Sequence, residues 1–307
     1  MNSSAFSYIT RQKNALLKAA AIGLALSFSY STLAASSVSE STAVQKIVSA
    51  DGSLTEIVYA LGKQDLLVGV DTTSGYPAVA RKLPQIGYKR NISAEGVLSL
   101  EPQILIATQD SGPDKILKQL ALAGVEIKRY SAEPKLEVVK DKILGVAKLL
   151  NVEERGQQLW LDVAEHVKTA RAPLSAIDKP TKVMFVLNAS SGSPLVSGDT
   201  TMADAIIKLA GGVNAAQGFS GYKPMSVESI ISAAPDVLLM MSRGGSHSAS
   251  SEILSKPGFV LTPAAQNKRL VVMDGMLMLG FGPRIGEAVS HLVSEFYPQL
   301  TLVEKSD

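Results

Sequence analysis

The chain has 307 residues, of which 46% are hydrophobic and 19% are charged, and it contains no cysteine. This composition is that of a globular protein, and the length suggests about two domains. The absence of cysteine excludes disulfides, cysteine-based metal sites and a thiol nucleophile. The formal net charge of +2 lacks the basic excess of proteins that bind nucleic acid, so we expect no nucleic-acid partner.

The first 34 residues have the pattern of a secretory signal peptide. Three basic residues and no acid accompany the apolar run 19–33, and Thr32-Leu33-Ala34 places small residues at positions −3 and −1 of a cleavage site. The run is short and rich in Ser and Tyr for a membrane span, so we expect cleavage near Ala34. Its removal leaves 27 basic and 28 acidic side chains, a net charge of −1. The pattern predicts an exported periplasmic protein without membrane insertion.

Strand and helix patterns alternate along the rest of the chain. The predicted strands are Lys46–Ala50, Leu66–Val70, Ile104–Thr108, Val125–Tyr130, Lys182–Leu187, Val237–Ser242 and Leu270–Asp274. The predicted helices between them are Leu54–Leu61, Ile116–Ala123, Leu136–Leu150, Met202–Leu209, Val227–Ala234 and Gly286–Phe296. Because strands and helices take turns, this order predicts an α/β fold of mainly parallel sheets flanked by helices.

One long helix is predicted between two series of strands and helices. Asn151 and Glu154 match an Asn-x-x-Glu capping box, and the helical pattern continues to about Arg171, before Pro173. About 20 helical residues span roughly 30 Å, the width of a small domain. Periodicity alone leaves open whether this helix bridges two lobes or is one more crossover between strands.

An internal repeat favours two lobes. Residues 93–106, SAEGVLSLEPQILI, align with residues 226–239, SVESIISAAPDVLL, at an offset of 133 residues. Ser, Glu, Ser, Pro and Leu are identical at matched positions, and we therefore expect two similar α/β lobes. The predicted division is a signal peptide at 1–34, an N-terminal lobe at 45–150, an interlobe helix at 151–172 and a C-terminal lobe at 180–307.

Each copy of the repeat has a Ser followed two residues later by an acid, Glu95 in the first copy and Glu228 in the second. Ser is a preferred helix N-cap, and the helix dipole stabilises an acid in the first turn. Helix stabilisation alone suffices to explain both acids. If a pseudo-two-fold axis relates the lobes, the same acids project from one face and suit docking on a symmetric partner. The residues leave both interpretations open.

No set of catalytic residues is apparent in the sequence. The three histidines are far apart, and the chain lacks a zinc-binding histidine motif, a nucleophile elbow and a phosphate-binding loop. A secreted α/β enzyme is therefore disfavoured. We expect a binding protein and not an enzyme.

One predicted loop, residues 84–93, contains residue types that suit ferric iron. Arg90 follows two residues after Tyr88, a phenolate is a known haem ligand, and a nearby guanidinium favours the ionised phenol. An ordinary loop tyrosine with solvated neighbours is the competing interpretation. In the second half, the repeat places Tyr222 and Arg243 near the same cleft, where an arginine suits a ligand carboxylate.

Together these features resemble the helical-hinge substrate-binding proteins of ABC importers for iron chelates, haem and vitamin B12. The segment GYKRNISAEGVLSL, residues 87–100, is especially similar to periplasmic haem-binding proteins of the HmuT, ShuT and PhuT kind. The resemblance covers about residues 45–298. It implies a monomeric periplasmic protein that captures ferric haem between two lobes and delivers it to an ABC haem permease in the inner membrane.

The resemblance also implies roles for individual residues. Tyr88 corresponds to the tyrosine that ligates the haem iron, and Arg90 corresponds to its partner arginine. Arg243 corresponds to the arginine of the second lobe near the haem, with Tyr222 expected beside the same ligand. The transporter-docking glutamates of the family correspond to the pair in the repeat, Glu95 and Glu228.

Two questions about the ligand stay open at this point. Some relatives bind a second haem through a histidine of the second lobe, and the corresponding segment, residues 188–190, contains none. A ferric-siderophore or corrinoid carrier of the same superfamily is the alternative assignment. Such ligands need polar and aromatic clefts without an axial tyrosine.

Overall fold

The computed structural model describes residues 45–189, 192–242 and 251–303, which form a mixed α/β protein, as predicted. Its strands are β1 Ile47–Ala50, β2 Leu67–Val70, β3 Gly87–Tyr88, β4 Asn91–Ile92, β5 Ile104–Thr108, β6 Glu126–Tyr130, β7 Lys182–Asn188, β8 Leu195–Ser197, β9 Val213–Asn214, β10 Tyr222–Pro224, β11 Val237–Ser242 and β12 Leu270–Asp274. Its α-helices are α1 Gly52–Ala60, α2 Ala94–Leu98, α3 Asp114–Leu122, α4 Leu136–Leu149, α5 Glu153–Arg171, α6 Met202–Leu209, α7 Val227–Ala233, α8 Pro263–Gln266, α9 Gly275–Leu279, α10 Ile285–Phe296 and α11 Pro298–Val303. Within these described ranges, every helix is too short or too polar to cross a bilayer.

The first sheet, which defines the first lobe, has the strand order β2-β1-β5-β6, and all four strands run parallel. The two central strands, β1 and β5, are buried along their whole length and consist mainly of apolar residues. Parallel strands covered by helices on both faces need such continuous apolar runs. These runs are the signal by which the sequence predicted both strands.

The second sheet, which defines the second lobe, has the order β10-β8-β7-β11-β12, with β9 also pairing with β7. The pairs of β7 with β11 and of β11 with β12 are parallel, as predicted for this half. The short strand β9, which was not predicted, also pairs parallel with β7. The short strands β8 and β10 pair antiparallel. These two strands were not predicted from the sequence, because three residues are too few to show a periodic pattern.

The repeat in the sequence is also a repeat of structure. Ser93 and Ser226 cap α2 and α7, each accepting a hydrogen bond from the backbone N–H three residues later, over 3.0 and 3.2 Å. After each helix, the residue before proline has a left-handed backbone, with φ of 51° at Glu101 and 44° at Ala234. The central strands β5 and β11 then begin at equivalent positions. Each sheet is therefore built with the same helix–turn–strand unit.

The long helix α5 packs against α4 from the first lobe and against α10 from the second. Its predicted capping box is wrong. Asn151 has a left-handed backbone, with φ of 51°, and Val152 precedes the helix without a side-chain cap. Asn151 instead closes the turn after α4, where its N–H donates to the Lys148 carbonyl at 3.3 Å. Two first-turn acids, Glu153 and Glu154, stabilise the start of α5 through the helix dipole.

One apolar core runs from the first sheet through α4, α5 and α10 to the second sheet. Polar contacts accompany it. Arg284 forms a bidentate ion pair with buried Glu56, at 2.6 and 3.0 Å, and its guanidinium lies 3.7 Å from the centre of the Tyr76 ring. Buried Lys142 donates to the Phe281 carbonyl at 2.7 Å. Because these contacts join the two halves of the chain, they fix the lobes relative to each other.

Candidate functional site

Tyr88 lies on a hairpin formed by β3 and β4, whose two-residue loop is Lys89-Arg90. The hairpin is attached by its backbone to the segment that follows β5. The Gly112 N–H donates to the Lys89 carbonyl at 2.8 Å, and the Ile92 N–H donates to the Gly112 carbonyl at 3.0 Å. The position of Tyr88 is therefore set by main-chain hydrogen bonds as well as by side chains.

Tyr88 is partly exposed, and its oxygen lies beside a positive charge. The residue is 43% exposed, and its hydroxyl accepts a hydrogen bond from Nη1 of Arg90 at 3.2 Å. The structure thus brings together the two residues that the sequence singled out, while their roles as iron ligand and partner stay predictions.

A charge network below this pair was not foreseen from the sequence. Nζ of Lys89 bridges two carboxylates, Asp51 at 2.8 Å and Asp110 at 3.0 Å, and Nη2 of Arg90 also donates to Asp110, at 2.6 Å. Burial alone would raise the pKa of Asp110, but the positive Lys89 and hydrogen bonds from Thr108 and Arg90 lower it to about 2. Asp110 is therefore ionised at neutral pH and is a permanent counter-charge for Arg90.

A further acid, Asp71, lies under the hairpin. It is fully buried and accepts hydrogen bonds from the side chains of Thr73 and Ser74, at 2.8 and 3.0 Å, and from the backbone N–H of Lys89, at 3.2 Å. Burial raises the pKa of Asp71 to about 6, although these hydrogen bonds oppose the shift. The hairpin thus rests on a carboxyl group that titrates below neutral pH.

A pattern in the sequence could have revealed these acids. Asp51, Asp71 and Asp110 follow three neighbouring parallel strands, β1, β2 and β5, within two residues of each strand end. Carboxyl ends of parallel strands meet at one edge of the sheet, where ligand sites commonly form. Three acids at that edge are therefore expected to lie close together.

The second lobe contributes Tyr222 at the start of β10. The residue is 37% exposed, and its ring packs edge-to-face on Phe185, with 6.3 Å between ring centres. Burial raises the pKa of Tyr222, while a hydrogen bond with Thr201 and the positive charge of Arg90 oppose the rise. The charge of Arg90, which belongs to the Tyr88 hairpin, thus acts on Tyr222. Arg243 lies outside the described residues, so its place in the site stays a prediction.

Glu95 and Glu228 both lie exposed in the first turn of their helices, α2 and α7. Hydrogen bonds from its own backbone N–H and from Ser226 lower the pKa of Glu228. Glu228 also lies at an open groove that no residue of the Tyr88 hairpin lines. The groove is lined by Ala215, Gln217, Met225, Glu228, Ser229, Ser232 and Ala233.

Comparison with known proteins identifies the class of this chain. Residues 47–277 match the periplasmic binding protein family, and the chain belongs to that family. The solved structure of the periplasmic haem-binding protein BhuT in complex with two haems is 38% identical, with a TM-score of 0.78, over 83% of this chain and 99% of that chain.

Two curated relatives are more distant. An uncharacterized ABC transporter substrate-binding lipoprotein of Bacillus subtilis (strain 168), YvrC, is 27% identical over 257 residues, covering 83% of this chain and 80% of the relative. A vitamin B12-binding protein of Vibrio vulnificus (strain CMCP6) is 25% identical over 255 residues, covering 82% and 90%.

These comparisons confirm the predicted superfamily and its two-lobed α/β fold. The chain is a substrate-binding component of an ABC transporter and not an enzyme. A membrane permease is accordingly its partner, and its place of action is outside the cytoplasm.

Proposed function

We propose that this chain is a periplasmic haem-binding protein, which captures ferric haem between its two lobes and delivers it to an ABC haem permease. The observation that carries the proposal is the partly exposed Tyr88, whose oxygen accepts a hydrogen bond from Arg90 at 3.2 Å. The similarity to BhuT, at 38% identity, supports haem as the ligand.

The donor set near Tyr88 fits haem better than it fits a bare metal ion. Haem supplies four nitrogen ligands to its own iron, so one axial oxygen from the protein is enough. Among the residues that the structure describes, no group of three or more His, Asp or Glu side chains could hold a metal ion. On binding ferric iron, Tyr88 would supply a phenolate oxygen, which is a known axial ligand of haem.

Apolar surface for the macrocycle lies on the segment after β2. Tyr76 and Val79 are 48% and 50% exposed there. The start of this segment is bonded to the hairpin, since the Thr72 N–H donates to the Gly87 carbonyl at 2.9 Å. Ligand pockets are lined mainly by apolar and aromatic side chains. Together with Tyr222 they would surround a flat, mostly apolar ligand, whose carboxylates Arg243 would bind.

Absorption titrations test the ligand. The purified protein is titrated with haemin, with cyanocobalamin and with a ferric hydroxamate. We expect a saturable change in the haem spectrum that neither of the other ligands prevents, and the absorbance at saturation gives the number of haems bound. Saturable binding of cyanocobalamin without binding of haemin would overturn the proposal.

A corrinoid carrier is the second candidate, because a vitamin B12-binding protein is among the relatives. Its identity of 25% is well below the 38% of the haem-binding BhuT. A corrinoid brings its own axial base, so that Tyr88→Phe would leave its binding unchanged. The same titrations on this variant separate the two candidates.

The proposal assigns Glu95 and Glu228 to docking on the permease. Both acids are exposed at equivalent places of a structural repeat, so a symmetric membrane partner can present one basic site to each. Charge pairs at such an interface govern orientation and encounter rate as well as affinity. Their competing role is to stabilise the helix ends, which the capping geometry supports.

The double variant Glu95→Ala with Glu228→Ala separates these roles. We expect unchanged haem affinity but loss of stimulation of the transporter ATPase in proteoliposomes. Glu153→Ala is the matched control, because Glu153 is an exposed first-turn acid outside the repeat. Normal stimulation by a stably folded double variant would leave both glutamates as helix-terminus acids.

The proposal also includes export, cleavage and oligomeric state. The segment 1–34 would be removed near Ala34, and the mature protein would act as a monomer with lobes at 45–150 and 180–307 around the helix 151–172. Mass spectrometry of the protein from periplasmic extracts measures its N-terminus, and sedimentation measures its mass. An intact leader or a stable dimer would contradict these parts.

A further inference from the structure

One carboxylate, Asp110, contacts both loop residues of the hairpin that carries Tyr88. Its two oxygens have separate partners. Oδ2 accepts from Nη2 of Arg90 at 2.6 Å, while Oδ1 accepts from Nζ of Lys89 at 3.0 Å and from Oγ1 of Thr108 at 2.7 Å. Asp110 thus connects the hairpin to the end of β5.

The same network continues inward to a helix. Lys89 also donates to Asp51, whose side chain is only 6% exposed and caps α1 by accepting from the Ser53 N–H at 2.8 Å. Burial would raise the pKa of Asp51, but Lys89 lowers it. Each charged residue in the series Asp51, Lys89, Asp110 and Arg90 therefore lies beside an opposite charge. The network connects the exposed Arg90 to the buried start of α1 in the first lobe.

We propose that Asp110 is the positioning residue of the haem site, which holds Arg90 so that Nη1 stays on the Tyr88 oxygen. This inference rests on the proposed role of Tyr88 in haem binding. The Arg90 side chain is 59% exposed, and an exposed arginine left alone samples many rotamers. The guanidinium is rigid and planar, so fixing Nη2 on Asp110 also fixes the direction of Nη1.

A purely electrostatic role for Asp110 predicts the opposite result. The carboxylate offsets the positive charge of Arg90 and Lys89. If Arg90 stayed in place, removal of that negative charge would strengthen the attraction for the phenolate and tighten haem binding. If Asp110 positions Arg90, its removal frees the guanidinium and weakens binding. The direction of the change therefore separates the two roles.

The test is a double-mutant cycle in the full chain, with Asp110→Asn, Arg90→Ala and the combined variant. Two quantities are measured, the dissociation constant for haemin and the pH at which the tyrosinate-bound spectrum is lost on acidification. We expect Asp110→Asn to weaken binding about tenfold and to raise that pH, because it removes a charged hydrogen bond. In the Arg90→Ala background, the same change should have no further effect.

Two controls keep the result interpretable. Asp114→Asn removes a nearby exposed acid, which pairs with Arg129 at 3.2 Å, and should change neither quantity. Asp110→Glu keeps the charge and should restore part of the lost affinity. If Asp110→Asn does not fold, Asp110→Glu takes its place in the cycle. A loss of haemin affinity on Asp110→Glu that vanishes in the Arg90→Ala background then supports the proposal.

The outcomes are distinct. Tighter haemin binding by Asp110→Asn, or a loss that adds in full to that of Arg90→Ala, overturns the positioning role. If Asp110→Glu is used instead, a loss of haemin affinity that adds in full to that of Arg90→Ala also overturns the positioning role. Failure of the unmodified protein to bind haemin overturns the proposed function instead, and it is seen before any variant is compared.

Discussion

The two lobes share a helix–turn–strand unit and differ in what precedes it. In the first lobe, α2 follows a hairpin with the charged loop Lys89-Arg90. In the second, α7 follows β10, which pairs with β8 as part of the main sheet. The repeat offset aligns Lys89 with Tyr222, and Arg90 with Lys223. One backbone unit therefore supports two different surfaces.

The two lobes differ in the side chains that they present beside the repeated unit. In the first lobe, Arg90 lies between a phenol and a carboxylate. In the second, Tyr222 packs on Phe185, and Nζ of Lys223 lies 5.5 Å from the centre of the Phe219 ring. Under the proposed function, the first lobe would provide the ionic group suited to iron, and the second would provide aromatic surface. The residue aligned with Asp110 is Arg243, so the charge at that position is reversed.

The largest expected effect is on haemin affinity when the two tyrosines, Tyr88 and Tyr222, are replaced in turn. Tyr88→Phe removes the oxygen and keeps the ring, so haemin affinity should fall about a thousandfold, or about 4 kcal/mol. Tyr222→Phe is the matched control from the second lobe and should change affinity by less than about fivefold, the cost of one neutral hydrogen bond. Equilibrium titration by absorption measures both. Equal losses in the two variants would contradict the division between lobes.

A second effect concerns the acid under the first-lobe hairpin. Burial raises the pKa of Asp71 to about 6, above its unfolded value of about 3.9. The folded state then binds this proton more tightly than the unfolded state, so stability from this group is lost as pH rises from about 4 to about 6.

We therefore compare the free energy of unfolding of the unmodified protein with that of Asp71→Asn. The difference, unmodified minus variant, should fall by up to about 2 kcal/mol as pH rises from about 4 to about 6. Asp110, whose pKa is lowered to about 2, is present in both proteins, so its contribution cancels in this difference. Denaturant unfolding of both proteins at several pH values measures the difference. A constant difference from pH 4 to pH 7 would show that Asp71 is not shifted.

The smallest expected effect concerns the two aligned cations, Arg90 and Lys223, and the pH at which the tyrosine leaves the iron. Arg90→Ala removes a charged hydrogen bond to the Tyr88 oxygen, so on acidification Tyr88 should leave the iron at a pH about one unit higher. Lys223→Ala is the control from the second lobe and should cause no shift. The haem spectrum as a function of pH measures both variants. Superimposable titrations of Arg90→Ala and the unmodified protein would make Arg90 a bystander.

Local patterns predicted the parts of the molecule that depend on neighbouring residues. The apolar runs of β1 and β5, the Ser caps of α2 and α7, and the proximity of Tyr88 to Arg90 all arise from residues within a few positions of each other. The capping box at Asn151 failed for a local reason as well, because the turn that closes α4 uses that residue first.

The charge network was not predicted, because it depends on topology. Asp51, Lys89 and Asp110 are separated by tens of residues and meet only when β1 and β5 pair in parallel and the hairpin packs on the segment after β5. A sequence pattern can show an acid after each strand. It does not show which cation lies between them.

Resonance Raman spectroscopy of the haemin-loaded protein tests the central claim most directly, namely that Tyr88 of the first lobe binds the iron. Tyrosinate modes should appear on excitation into the phenolate-to-iron charge-transfer band, and they should shift in protein produced with ring-deuterated tyrosine. They should vanish in Tyr88→Phe and persist in Tyr222→Phe. Tyrosinate modes that survive in Tyr88→Phe, or that are absent from the unmodified protein, would contradict the assignment.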